Sequence, residues 1–450
     1  MLNEISSLAT DLYELTMAAA YFENGIDSWA SFELFVPALP ESRGYLVAAG
    51  LERALSFIEQ SRFCPADIQF LRGQSVFRGV SPAFFDHLKT LRFEGEVWAV
   101  PEGTPVFARE PLLRVSGPIL QAQILETSLL SIIGFETTVA SKAARVVESA
   151  RGRGVVEFGS RHAAGPEAGV QAARAAYLAG CAGTSNVLAG ARFEIPISGT
   201  MAHSFVMAYE DEGQSFADFV RVFPDHAVIL LDTYDTLAGL DRMIARGIHP
   251  RAVRLDSGDL ASLAGQIRRR LDSNGMSDVL IFATGDLDEY KIAALVASGV
   301  PIDSFGVGTQ IVTAADQPVL PCIYKLVEID ADGAPRGRAK FSEQKNTYPS
   351  CKQVYRFRNA NGTLDHDLIA AIEEPHPGGE SLLVPVMKDG KRLLPPAPLA
   401  EIRENSRRMH AELPPAVRSL QSHSPYPVEI SNLLDEKLEE LRSWRGQVQK

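Results

Sequence analysis

A chain of 450 residues exceeds one ordinary domain, so two domains, one of them large, are expected. Its 46% apolar and 22% charged residues describe a soluble globular protein able to bury a sizeable core. The formal charge of −12 argues against broad binding to DNA, RNA or an anionic membrane surface, though not against a small basic pocket.

The opening, MLNEISSLATDLYELTMAA, lacks the basic-then-apolar order of a secretory signal. Leu12, Leu15, Ala19 and Phe22 recur at helical spacing, and residues 30–36 alternate as a strand does. Residues 95–100 and 105–108 predict two more strands around the turn signal Pro101-Glu102-Gly103. The longest apolar run, near residues 124–139, is interrupted by Glu126, Ser128, Ser131 and Glu136. No run reaches the roughly 18 uninterrupted apolar residues of a bilayer span.

From about residue 155 the rhythm changes. Short aliphatic runs at 155–158, 195–197, 227–231, 252–255, 279–283 and 304–307 each end in small, acidic or hydroxyl residues, with helical patterns such as 260–271 and 289–298 between them. Strands alternating with helices imply a parallel sheet. In a (β/α) barrel those strand ends converge on one face, where barrel active sites lie. A doubly wound open sheet would place the site at the same edge. Fewer than eight repeats are legible, so the expected barrel is irregular or incomplete. After about residue 330 the texture is loop-rich, with a basic concentration of Lys325, Arg336, Arg338, Lys340, Lys345, Lys352 and Arg356. Residues 433–448 read as an amphipathic packing helix. Cys64, Cys181, Cys322 and Cys351 show no CxxC spacing, which suits reduced thiols in a cytoplasm rather than a disulfide framework or zinc site.

Three strand ends hold candidate chemistry. Gly199-Thr200-Met201-Ala202-His203-Ser204 puts an accessible imidazole on the functional face, as a nucleophile, a base or simply a structural histidine. In Arg254-Leu255-Asp256-Ser257-Gly258-Asp259, alternation sets Arg254 and Asp256 on one side of a strand, either to bind a phosphate and a diol or magnesium, or to pair with each other. The turn Phe305-Gly306-Val307-Gly308-Thr309 frees backbone N–H groups to approach a phosphate, although GxGT alone is neither a P-loop nor a dinucleotide fingerprint.

Seven ordered segments resemble nicotinate phosphoribosyltransferases. They are Thr10-Asp11-Leu12-Tyr13-Glu14-Leu15-Thr16-Met17, Glu157-Phe158-Gly159-Ser160-Arg161, Gly183-Thr184-Ser185-Asn186, the Gly199–Ser204 and Arg254–Asp259 stretches, the Phe305–Thr309 turn and KFSEQKNTYPSCKQVYR at 340–356. Together they span about residues 8–360. The resemblance implies an α/β fold, an irregular (β/α) barrel at 131–339 with a second, discontinuous α+β domain from 1–130 plus about 340–430, and a C-terminal helix at 431–450. It implies an ATP-dependent enzyme of ligase or glycosyltransferase type. Such an enzyme makes nicotinate mononucleotide and pyrophosphate from nicotinate and phosphoribosyl pyrophosphate (PRPP), the Preiss–Handler step of NAD salvage.

The same resemblance assigns residues. His203 is the phosphohistidine, and Arg254 and Asp256 serve the phosphoribosyl moiety in catalysis. Tyr13 of a neighbouring subunit faces the pyridine ring opposite Phe158, while Arg161 meets the substrate carboxylate or phosphate. Gly285 and Asp286 lie near the ribose, and Gly306, Gly308 and Thr309 cradle the 5-phosphate. Asp232 and Asp256 hold Mg²⁺, with ATP and PRPP as co-substrates. A cytoplasmic homodimer with shared active sites and no nucleic-acid or membrane partner is implied. Ser185 stands where amide-using relatives place an aspartate, which favours the acid over nicotinamide. Two departures are His162, where a second arginine is common, and Ser350, where a glycine is common. No lysine follows the strands, so a Schiff-base aldolase on a similar barrel is disfavoured.

Overall fold

In a computed structural model, residues 6–341, 347–421 and 424–448 are described. Lys345 falls outside them. The chain divides into two units, one of Val139–Pro318 and one of Met1–Thr138 with Val319–Lys450.

Within Val139–Pro318, six short strands form one parallel sheet in the order Gly183–Thr184, Gly154–Glu157, Ser304–Val307, Leu280–Ala283, Ala252–Leu255, Val228–Leu230. The last strand in sequence pairs with the first, and the other neighbours are consecutive in sequence. That is the order of a (β/α) barrel, not of a doubly wound sheet, whose order reverses at a switch point. The barrel is interrupted between Thr184, which bridges to Ile197, and Val228. The strand expected at 195–197 is therefore only that bridge. Pro196 has no N–H to give a ladder; its carbonyl accepts from Thr184 N–H at 3.0 Å. Helices such as Pro166–Leu178, Leu260–Ser273 and Glu289–Ala297 fill the crossovers.

The other unit holds a seven-stranded sheet in which Ile323–Ala331, Trp29–Phe35, Pro111–Pro118 and Glu96–Ala99 are successive antiparallel neighbours. The division at Pro318 precedes the boundary read at 339 because Ile323–Ala331 pairs with Trp29–Phe35, nearly three hundred residues earlier. Local texture cannot reveal such a partner. The loop-rich reading beyond 330 also understated the strands: Lys352–Arg358 and Leu364–Ala371 pair in a four-stranded sheet. Asp332-Gly333 is a hairpin turn with both residues at positive φ, the geometry that favours Asp-Gly. The C-terminal helix Asn432–Val448 buries Leu434 in the core of this unit, so it is part of that unit rather than an appendage.

The stretch Ile119–Ser149, two helices joined by a turn at residues 124–125, is long and on average apolar enough to cross a membrane, although the polar residues read from sequence interrupt it. Most of its apolar window is buried within the fold, as a core helix is.

Two of the basic residues grouped above are internal. Lys352 pairs with Glu33 at 2.8 Å and Arg356 with Asp367 at 2.6 Å, all four buried. A buried charge persists only when paired, so these cations are committed to the sheet and are not free for phosphates. Arg336 pairs with Asp332 at the hairpin.

Candidate active site

Sheet register brings the strand ends into two adjoining groups in the barrel unit. Leu230, Arg254 and Phe282 are lateral partners, so the residues that follow, Asp232-Thr233, Asp256-Ser257 and Thr284-Gly285, emerge side by side. On the other arc Thr184, Glu157 and Val307 share a row, followed by Ser185, Phe158 and Gly308.

In the first group Arg254 is held by two strand ends and by Thr200, in the loop beyond the Thr184–Ile197 bridge. It donates to Asp256 Oδ1 (2.8 Å), to Thr284 Oγ1 (2.9 Å) and to Thr200 Oγ1 (2.8 Å). The ion pair offered above as the plain alternative is thus present, and it sits on the functional face. Burial pushes the Asp256 carboxyl up, but hydrogen bonds from Thr284 and Arg254, and the Arg254 charge, outweigh it and hold Asp256 below its usual value. It is therefore a carboxylate near neutral pH.

His203 opens the short helix His203–Met207 and is 43% exposed. Its Nδ1 lies 3.2 Å from Thr233 Oγ1, and its Nε2 lies 3.9 Å from Asp256 Oδ2. The imidazole so placed has one nitrogen held at a hydroxyl and the other facing a carboxylate. Asp232 accepts from Ser257 through Oδ2 at 2.5 Å, while its buried Oδ1 has no partner among the described residues.

Gly285 has φ +96°, and a Cβ there would strike the Asp256 carbonyl at 2.0 Å. Only glycine lets the Thr284-Gly285-Asp286 turn lie against the Asp256 strand. Asp286 follows at φ +48°, exposed.

In the second group Phe158 packs edge-on against Phe282, with ring centroids 5.6 Å apart. A Cβ on Gly306 would meet Phe158, Phe282 and Thr284 within 2.9 Å, so this glycine makes room for the aromatic wall. Gly308 lies against the Phe158 carbonyl. Thr309 Oγ1 hydrogen-bonds His162 Nδ1, so the position departing from the resemblance touches the glycine turn. Arg161 and Ser185 are exposed. An open cavity of about 500 Å³, lined in part by Ser160, Arg161, Asn186 and Leu188, adjoins them. That is a volume typical of small-molecule sites.

Tyr13 belongs to the other unit, in the first turn of the helix Leu12–Glu23. Burial, then the carboxylates of Glu126, Glu14 and Asp11, push its hydroxyl up to about 12, so it remains a neutral phenol. Sequence reasoning passed over Thr200, Thr233 and Thr284, whose only signal is a hydroxyl just past a strand. It also assigned no role to Glu157 and Thr184.

Among the described residues, no three His, Cys, Asp or Glu side chains converge to hold a metal unaided. Asp232 and Asp256 form an all-oxygen pair, with one buried oxygen unpartnered. That donor set suits magnesium, which takes one or two carboxylates and completes its shell with water and substrate oxygens.

Comparison with known proteins extends over most of the chain. Residues 8–134 match the nicotinate phosphoribosyltransferase (NAPRTase) N-terminal domain, residues 154–336 the NAPRTase family and residues 378–438 its C-terminal domain. Nicotinate phosphoribosyltransferase pncB2 of Mycobacterium tuberculosis is 46% identical over 446 residues, covering 97% of this chain and 94% of that protein. The Bacillus subtilis nicotinate phosphoribosyltransferase is 42% identical, covering 82% of this chain and 76% of that one. The structure of human nicotinic acid phosphoribosyltransferase superposes with a TM-score of 0.84 at 30% identity, over 96% of this chain and 99% of that one. Motifs, sheet order and these likenesses agree from end to end, and the chain belongs to the nicotinate phosphoribosyltransferase family.

Proposed function

We propose that the chain joins nicotinate to PRPP, releasing nicotinate mononucleotide and pyrophosphate, and couples this to ATP hydrolysis through phosphorylated His203. The observation that bears the reading is the strand-end cluster of Arg254, Asp256 and His203 beside the Phe158 wall and the glycine turn.

The pyridine nitrogen attacks C1 of the ribose as the C1–O bond to pyrophosphate breaks, and positive charge builds on the sugar. No protein nucleophile is required for that step. The chain must align ring and sugar and stabilise developing charge. Phe158, with Tyr13 of a second subunit, sandwiches the ring. Arg161 meets its carboxylate, and Ser185 lacks the negative charge that would repel an acid. Gly306, Gly308 and Thr309 hold the 5-phosphate through backbone N–H groups and a hydroxyl, and Gly285 and Asp286 border the ribose. Arg254 faces the phosphoribosyl group. Asp232 and Asp256 would hold Mg²⁺, whose charge neutralises the leaving pyrophosphate. His203 takes the γ-phosphoryl group of ATP, and hydrolysis of phosphohistidine resets the site.

On this reading the chain is a cytoplasmic homodimer acting in the Preiss–Handler step of NAD salvage.

The test is nucleotide formation from PRPP with nicotinate or nicotinamide, with and without ATP, for wild type and His203→Ala. Expected is nicotinate-dependent product stimulated by ATP, with the stimulation lost in the variant. A preference for the amide would overturn the argument from Ser185. Absence of turnover with either base would overturn the function.

A further inference from the structure

Glu157 is 1% exposed at the end of its strand, yet it makes no ion pair among the described residues. One carboxylate oxygen accepts from the Gly159 N–H, two residues along its own chain, and the other accepts from Thr184 Oγ1 at 2.6 Å. Thr184 Oγ1 accepts in turn from Asn186 N–H at 3.0 Å, and Asn186 Nδ2 donates to Ser160 Oγ at 2.9 Å. The Ser185 N–H donates to the Glu157 carbonyl at 2.9 Å. Three hydrogen bonds therefore tie the segment 157–160 to the segment 184–186, and one more braces each segment internally. Phe158 lies inside the first segment and Ser185 inside the second.

A carboxylate buried without a cation is costly, and burial pushes Glu157 up while its two hydrogen bonds pull it down. A core made only for stability has no need of such a group. Its two oxygens do what no apolar residue can: they accept from two donors on different chain segments at once.

We propose that Glu157 is a positioning residue that, through Thr184 and Gly159, holds Phe158 and Ser185 at the spacing a pyridine carboxylate requires. The proposal rests on the reading that those two residues border the ring. Neither Glu157 nor Thr184 need touch substrate. Binding of PRPP, served by Arg254, Asp256 and the glycine turn, is left largely untouched.

The experiment compares Glu157→Gln, Thr184→Val, Thr184→Ser and Ser160→Ala with wild type. It records kcat, KM for nicotinate, KM for PRPP and the melting temperature. Glu157→Gln and Thr184→Val are expected to raise KM for nicotinate about tenfold, as loss of one hydrogen bond to a charged group predicts, with KM for PRPP within about twofold. Thr184→Ser keeps the hydroxyl and should retain a near wild-type KM. The double variant Glu157→Gln/Thr184→Val should be no worse than the poorer single one, because both cut the same tie. Ser160→Ala, a loop change that leaves the core intact, should raise KM for nicotinate about threefold and keeps the test open if the buried variants misfold. An unchanged nicotinate KM in Ser160→Ala and the folded buried variants, or a PRPP KM rising in step with it, overturns the proposal. Calorimetric titration of nicotinate into wild type, Ser160→Ala and the folded buried variants separates the two readings. Lack of wild-type turnover would sink the function, whereas nicotinate affinity equal to wild type in Ser160→Ala and in every folded buried variant would sink the positioning role.

Discussion

Ser350 occupies the left-handed region, with φ +70°, while 5% exposed. Its backbone explains why: its N–H donates to the Val327 carbonyl at 2.8 Å, and its own carbonyl accepts from Lys352 Nζ at 2.9 Å. The turn is thus fixed at both ends, and a side chain must tolerate a conformation that crowds Cβ, at about 1 kcal/mol. Those backbone hydrogen bonds survive replacement by glycine. Ser350→Gly is therefore expected to stabilise the chain by about 1 kcal/mol, seen as a higher denaturation midpoint with an unchanged slope. A lower midpoint would mean that the serine side chain offsets the strain. At this scale the sequence had marked Ser350 as a departure in a turn, but only the dihedral gives the departure an energetic sign. Thr200, Thr233 and Thr284 show the opposite limit. A threonine after a strand is ordinary until register sets it against an arginine or an imidazole.

At the scale of elements, Glu14 links the helix that carries Tyr13 to the first turn of the next long helix. It lies in the first turn of Leu12–Glu23, and its Oε1 accepts from both N–H (2.9 Å) and Oγ1–H (2.7 Å) of Thr127, in the first turn of Glu126–Ser149. It therefore serves as a tertiary cap on the second helix. Burial pushes its carboxyl up to about 7 despite those bonds, with Glu126 and Asp11 adding to the rise. A folded-state value above the unfolded one means that the unfolded chain loses this proton first. Stability from this group is complete below about pH 4.5 and is lost as pH rises through 7. Glu14→Gln keeps an acceptor for Thr127 and removes the ionisation. It should match wild type in urea at about pH 4 and exceed it by on the order of 2 kcal/mol at pH 8. Equal midpoints at both pH values would show that the carboxylate ionises freely.

Elements differ in how far a sequence can announce them. The parallel strands are legible because each aliphatic run stops abruptly at polar residues, and the chemistry gathers where it stops. Lys352–Arg358 is harder to read, because its Lys352 and Arg356 suggest a solvated or phosphate-facing edge. Their partners, Glu33 and Asp367, lie far off or across a hairpin, and they turn both cations inward. Pattern reports which face is apolar. It does not report which charge has a distant mate.

For the whole molecule, the proposed site needs Tyr13 of a second subunit beside Phe158, His203, Arg254 and Asp256, which all belong to the barrel unit. If Tyr13 completes the site of a second copy, the defect of Tyr13→Ala lies in its partner's site, whereas the defect of Asp256→Ala lies in its own. A heterodimer of the two variants then contains one site with both defects and one with neither. Such heterodimers, purified after co-expression with different tags, should have about half the wild-type activity per dimer although each parent homodimer is nearly inactive. If every chain instead builds its site from its own Tyr13, each site of the heterodimer has one defect, and it is as inactive as its parents. The measurement thus decides between shared and self-contained sites.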